Sequence, residues 1–286
     1  MIRPPSCAGS VYPQDARELR AALDAWLSLP PGTTPAPARR GPPRLVVSPH
    51  IDYPRGARGY AHAARALAAA DADLFVLLGT AHEGPRHLFA LTRRDYATPL
   101  GLAETDRDAA EAVIRALGEE EALGSEAFHD GEHSVELPLV VLQHVVRRPF
   151  TVLPVLCGPL SHLAEPARFT ARVLAALGRA LEGRRACLVA GADLAHAGPW
   201  YGDPRPLTPD EAARLDADDR RTLAFLEAGD AEGFQRDAIR DDARRRLCGT
   251  APIYAALRAA GCGARVLHHE RWTDGVDCVS FAAAAG

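Results

Sequence analysis

Leu45-Val46-Val47-Ser48-Pro49-His50 and Leu74-Phe75-Val76-Leu77-Leu78-Gly79-Thr80-Ala81-His82 are two short apolar runs, each ending in a histidine. Between them Gly59 to Ala70 is rich in alanine and reads as a helix. Short continuous apolar runs that alternate with helices indicate a parallel sheet buried on both faces. The histidines lie 82 − 50 = 32 residues apart, about one strand-helix-strand unit. Parallel strands begin from the same edge. Both histidines therefore emerge at the carboxyl edge, where open α/β folds bind ligands.

The same grammar continues outward. Thr151 to Leu156 and Cys187 to Ala190 read as strands, with a helix over Arg168 to Leu181 between them. The second of these strands ends in Gly191-Ala192-Asp193-Leu194-Ala195-His196, a third polar strand end. Asp15 to Leu29, Pro209 to Leu226 and Ala251 to Ala260 carry helical spacing. Arg265 to Leu267 and Val276 to Phe281 read as closing strands, and the proline-rich Pro30 to Pro43 as a surface connection. The expectation is one α/β domain over 1–286, with a single, mainly parallel central sheet flanked by helices.

Composition narrows the chemistry. All 33 basic residues among the 286 are arginine. Without lysine there is no P-loop lysine, no Schiff-base lysine and no kinase β3 lysine. Neither G-x-S-x-G nor G-x-G-x-x-G occurs in the required context. A net charge of −4 gives no electrostatic footprint for nucleic acid. The start of the chain has no apolar signal region, and no run is long enough to span a membrane. The six cysteines form no C-x-x-C pair. These features lead us to expect a reduced, cytoplasmic protein without membrane or nucleic-acid partners.

Two imidazoles at neighbouring strand ends can converge on one metal at about 2.1 Å each. Each candidate also has a plainer reading. A lone histidine after a strand is more often a hydrogen-bonded loop residue than a ligand. Asp193 can cap a helix, Cys248 can be a small buried residue, and Glu132, His133 and Glu136 can form an exposed first turn. His62, His87, His144 and His162 read as surface residues, and His268 and His269 as lying at a strand end.

Several segments, taken in order, point to a family. They are Ala8-Gly9-Ser10-Val11-Tyr12-Pro13, Ser48-Pro49-His50-Ile51-Asp52-Tyr53, Leu78 to His82 and Thr98-Pro99-Leu100-Gly101. Gly131-Glu132-His133-Ser134-Val135-Glu136, Ala192 to His196 and Cys248-Gly249 complete the set. The chain resembles the Memo family, known in bacteria as AmmeMemoRadiSam system protein B. That family is similar to the class III extradiol dioxygenases. The resemblance implies a dioxygenase-like fold and a metal held by His50, His82 and Cys248. It places His196 beside the metal and Asp193 at the same turn.

In the dioxygenase relatives the third ligand is a carboxylate, and a thiolate in its place shifts preference toward copper, zinc or a differently tuned iron. Ala81-His82-Glu83 stands where human-type members have two adjacent histidines. The implied function is a metal-dependent oxidoreductase using iron(II) or copper, with zinc as a further possibility. In this reading His196, Asp193 and His133 are catalytic. Glu132, Tyr53 and Asp52 contact a small-molecule substrate. The alternatives are a peptide- or phosphopeptide-binding module and a zinc hydrolase. A radical SAM protein and an AMMECR1-like protein are the implied pathway partners. If a helix begins just after Cys248, its N-terminus is expected to lower the thiol pKa.

Overall fold

The computed structural model describes residues 1–28, 41–83, 89–158 and 166–286. The proline-rich connection lies mostly outside the described residues, as do His87 and His162. The strands are β1 (Ile2–Arg3), β2 (Leu45–Ser48), β3 (Leu74–Thr80), β4 (Phe89–Leu91), β5 (Asp95–Thr98), β6 (Gly101–Ala103), β7 (Thr151–Cys157), β8 (Ala186–Gly191), β9 (Asp193–Ala197), β10 (Arg265–Thr273) and β11 (Cys278–Ala285). The helices are α1 (Ala16–Trp26), α2 (Tyr53–Ala69), α3 (Arg107–Leu117), α4 (Glu119–Leu123), α5 (His133–Val145), α6 (Pro166–Leu181), α7 (Pro209–Ala228), α8 (Ala231–Ile239), α9 (Asp242–Arg245) and α10 (Thr250–Ala260).

The central sheet has the order β10-β11-β2-β8-β3-β7-β4, and β9 pairs with β11. Its middle strands β2, β8, β3 and β7 run parallel. β11 is antiparallel to β2, β9 and β10, and β4 is antiparallel to β7. The sheet is therefore mixed, which corrects the expectation of a mainly parallel one. The closing strands return as a hairpin, and a hairpin is antiparallel by geometry. A second, three-stranded sheet β1-β5-β6 corrects the expectation of a single sheet. Asp193 to Ala197 form a strand of their own, β9, rather than the end of the preceding one.

Alternation puts successive strand residues on opposite faces. Leu45, Val47, Leu74, Val76, Leu78 and Leu188 join the core shared with α3, α6 and α10. Val46, Phe75, Leu77 and Val189 join the core shared with α1, α2 and α5. Burial on both faces explains the unbroken apolar runs in the sequence. It also explains why α5 escapes sequence reading. Residues from Ser134 to Leu142 are all buried, so no polar face marks a helical period, and Pro138 interrupts the pattern.

Two glycines fix where α5 meets the sheet. Gly79 of β3 pairs with Gly191 of β8. A Cβ on Gly191 would lie 2.0 Å from the Ser134 carbonyl oxygen, and one on Gly79 would lie 2.5 Å from Ser134 Oγ. Pro138 has no N–H to give that carbonyl, which instead lies against the glycine. The start of α5, with Glu132 and His133, is thereby lowered onto the carboxyl edge of the sheet.

Candidate metal centre

His50 follows β2 and His82 follows β3, so both stand on the carboxyl edge. Their strands are not neighbours, however, because β8 lies between them. Two strand spacings of about 4.8 Å separate their backbones. β8 ends there in Gly191, which has no side chain, and the imidazoles lean across it. Their ring centroids are 5.0 Å apart at 76°. His50 Nδ1 donates to the Gly191 carbonyl at 2.9 Å, leaving Nε2 with a free lone pair.

Glu132, the N-cap of α5, holds His82. Its carboxylate accepts from His82 Nδ1 at 3.0 and 3.1 Å and from the His82 backbone N–H at 3.0 Å. It also accepts from the Ser134 backbone N–H at 2.8 Å. His82 Nε2 is therefore the atom left for a ligand. A carboxylate behind the imidazole is the usual support of a metal-binding histidine. His133 stacks on His82 at 4.8 Å and meets His50 edge-on at 5.2 Å.

Cys248 arrives from the opposite end of the chain, in the turn between α9 and α10. Gly249 N–H donates to the Asp193 carbonyl at 3.1 Å, and Thr80 Oγ1 donates to the Cys248 carbonyl at 3.0 Å. These bonds bring Cys248 Sγ to 3.2 Å from His50 Nε2. The donor atoms of His50, His82 and Cys248 all lie within 4.8 Å of one another. Nitrogen and sulfur bonds of about 2.1 and 2.3 Å give a tetrahedral edge of about 3.5 Å, so the trio fits a single ion. His82, Glu132 and His133 also cluster, but the two backbone N–H groups and His82 Nδ1 already occupy the carboxylate.

The electrostatics suit a cation. Burial holds the His50 imidazole down to about 3 and His133 to about 4, so both are neutral donors at pH 7. Burial also lowers His82, but the Glu132 hydrogen bond outweighs it and raises the group. Burial opposes ionisation of Glu132, yet the hydrogen bond from His82 prevails and keeps the carboxyl well below its usual range. Burial pushes the Cys248 thiol well up, and the Asp193 charge adds to this. This overturns the expectation that the start of α10 lowers it. Gly249 caps that helix and desolvation wins. A bound cation is the charge that reverses this balance.

A cavity of about 520 Å³ opens above the trio. Asp193, His196, His133 and Asp52 line it beside the three donors. Asp193 is buried and its Oδ1 accepts the His50 backbone N–H at 3.0 Å, with Oδ2 3.6 Å from His50 Nε2. Burial raises its pKa. His196 Nδ1 lies 3.2 Å from the Leu194 carbonyl, and burial lowers its pKa. Asp52 caps α2 and pairs with Arg55. Glu132 lies behind His82 rather than on the rim. Tyr53 does not reach the cavity. It is fully buried, packs near Tyr12, Trp26 and Tyr60, and donates to the Leu137 carbonyl at 2.8 Å. His144, expected on the surface, is buried with Nε2 2.9 Å from Asp24.

The family model described as Memo-like protein matches residues 3–283. The chain belongs to the Memo family. A MEMO1 family protein of Methanopyrus kandleri is 31% identical over 267 residues, covering 91% of this chain and 87% of the relative. One from Methanothermobacter thermautotrophicus is 28% identical, covering 91% and 88%. One from Thermus thermophilus is 34% identical, covering 79% of this chain and 63% of the relative.

For this Memo-family chain, sequence reasoning missed the polar cavity residues Arg55, Tyr201 and Arg246, along with apolar lining such as Leu137 and Val279. Arg55 also stacks over Trp272 at 4.7 Å. Tyr201 meets His196 edge-on at 5.0 Å. Arg246 has φ 47°, the sole positive value outside glycine among the described residues. It donates to Asp203 at 2.7 Å and to the His196 carbonyl at 3.2 Å. Asp52 and Arg55, three apart at a helix start, offered a local signal. Arg244-Arg245-Arg246 offered none, because which arginine faces the cavity depends on that one left-handed residue. Among the described residues no helix is long and apolar enough to cross a membrane.

Proposed function

We propose that this protein is a metal-dependent oxidoreductase in which His50, His82 and Cys248 hold one redox-active metal, iron(II) or copper. The convergence of three donors carries the reading, with each histidine committing Nδ1 elsewhere and leaving Nε2 free. When bound, the metal supplies Lewis acidity and one-electron chemistry. The chain supplies the rest. Arg55 and Arg246, each held by a carboxylate, form the charged part of the cavity wall that a small polar substrate would meet. His196, with Nδ1 turned to a carbonyl, presents Nε2 to accept or return a proton. Asp193 holds the His50 backbone N–H at the cavity wall. The protein would act in the cytoplasm, in one pathway with a radical SAM protein and an AMMECR1-like protein.

The same donors also accept zinc, which would make the site hydrolytic. The phosphopeptide alternative has less support, because Arg55 and Arg246 already pair with Asp52 and Asp203. A phosphate would first have to break those pairs. Anaerobic purification and reconstitution followed by metal analysis tests the proposal. Iron or copper bound near one equivalent, and lost in Cys248→Ser, is the expected result. Zinc bound while iron and copper are refused would end the oxidoreductase reading.

A further inference from the structure

Three consecutive arginines lead into the turn that carries Cys248, and each has a different destination. Arg244 pairs with Asp218 and Asp241. Arg246 reaches Asp203 beside the front cavity. Arg245 turns inward and is fully buried, as is Asp219 of α7. Its guanidinium donates to Asp219 Oδ1 at 3.0 Å, to Thr222 Oγ1 at 2.8 Å and to the Asp237 carbonyl at 3.2 Å. Asp219 and Thr222 belong to α7 and Asp237 to α8, so one side chain ties α9 to both helices. Asp219 Oδ2 also faces His269 Nε2 of β10 at 3.5 Å.

Stability does not account for this arrangement. A buried ion pair strips both ions of water, and well-packed apolar residues of like volume often hold a fold as firmly. Arg245 Nε is also buried with no hydrogen-bond partner among the described residues, a further cost. What a guanidinium supplies instead is direction, because its planar fork meets partners only at fixed places. That direction is needed here. α9 has only four residues and ends in Arg246, held at φ 47°. Cys248 follows Arg245 by three residues (248 − 245).

We propose that Arg245, paired with Asp219, is a positioning residue for the metal centre. It fixes the near side of the turn that presents Cys248 Sγ to His50 and His82. The far side is fixed by Thr80 Oγ1 on the Cys248 carbonyl and by the Gly249 N–H on the Asp193 carbonyl. With the near side released, Arg246 is free to leave its left-handed conformation and Sγ loses its single place. The role in metal binding rests on the reading of Cys248 as a ligand given above.

Asp219→Leu combined with Arg245→Met removes the pair without leaving a lone buried charge. Two readouts then follow Cys248 rather than the fold. In the metal-free protein, alkylation of Cys248 by iodoacetamide, followed by peptide mass spectrometry, should accelerate at least about tenfold as the turn opens locally. In the cobalt(II)-loaded protein the thiolate-to-cobalt band should weaken. Parent-like alkylation in the folded variant overturns the proposal. If the double variant fails to fold, Arg245→Lys, which keeps the charge and loses the fork, carries the same expectations. Leu19→Ala, in the core around α1, controls for a general loss of stability. It should melt lower and leave Cys248 reacting at the parent rate. An equal acceleration there would make the effect one of stability alone and would also overturn the proposal. If the parent binds no cobalt, the metal-centre reading fails, while alkylation still decides whether Arg245 holds the turn.

Discussion

Replacing Glu132 by glutamine should separate what holds the metal from what holds the fold. The carboxylate accepts from the Ser134 N–H at 2.8 Å, the His82 N–H at 3.0 Å and His82 Nδ1 at 3.0 and 3.1 Å. Ser134 bonds to one oxygen and the His82 backbone to the other. Glutamine keeps one acceptor and turns an NH2 toward a backbone donor, whichever way it is set. One buried donor is then unsatisfied, at a cost of about 1–3 kcal/mol in the metal-free protein. His82 Nδ1 keeps a neutral acceptor in the amide oxygen but loses the carboxylate charge that strengthens its hold on the proton there, so Nε2 competes as a proton site. Loss of such a supporting carboxylate typically costs 10–100-fold in metal affinity, about 1.4–2.7 kcal/mol. Competition titration of cobalt(II) against a chelator reads the affinity, and melting of the metal-free protein reads the fold. Metal affinity within about twofold of the parent (~0.4 kcal/mol) would refute the role given to Glu132.

Cys248→Ser should lower affinity at least about tenfold, ~1.4 kcal/mol, and abolish the thiolate-to-cobalt absorption band, whereas Cys262→Ser should leave both intact. Metal affinity should fall as pH drops through and below His82's raised pKa, because protons compete for Nε2, whereas His50, held near 3, adds little there. A flat titration between about pH 5 and 8 would rule out ligation by His82 and Cys248. His129 is buried between the Tyr96 hydroxyl and the Ala90 carbonyl, and burial lowers its pKa from 6.5 to about 4. Below pH 6.5 the unfolded chain takes a proton that the fold refuses down to about 4, so stability falls by about 3 kcal/mol across that window. Urea unfolding from pH 7 to 4 should lose that part of its slope in His129→Gln. Gly191→Ala places a methyl against the Ser134 carbonyl and should cost about 3 kcal/mol or more in a denaturant titration, with weaker metal binding as the His50 support shifts. A variant of wild-type stability would contradict the close approach of α5.

The residues show which signals are local. The runs at Leu45, Leu74 and Cys187 read correctly as buried parallel strands because both faces are apolar, and hydropathy alone records that. His50, His82 and Asp193 read as a cluster because strand direction puts their ends on one edge. α5 could not be read this way, since a helix apolar all round has no period to detect. The sheet's antiparallel flank was equally hidden. Val276 to Phe281 reads as a strand, but nothing in it says that β11 lies beside β2.

The sequence by itself determined the α/β class, the edge that carries the chemistry and the donors that strand ends deliver. Tertiary structure alone decided that β8 separates the two histidine strands and that its terminal glycine lets their rings meet, and it supplied the bonds that bring Cys248, implied by the resemblance but by no local spacing, to close the trio. It also sent Tyr53 into the core and placed Glu132 behind His82. The physical reason is distance along the chain. Cys248 stands 166 residues after His82 (248 − 82), and the bonds that bring it back run through Asp193 and Thr80. Periodicity reports only which face of one element is buried, and says nothing of which distant element comes to rest against it.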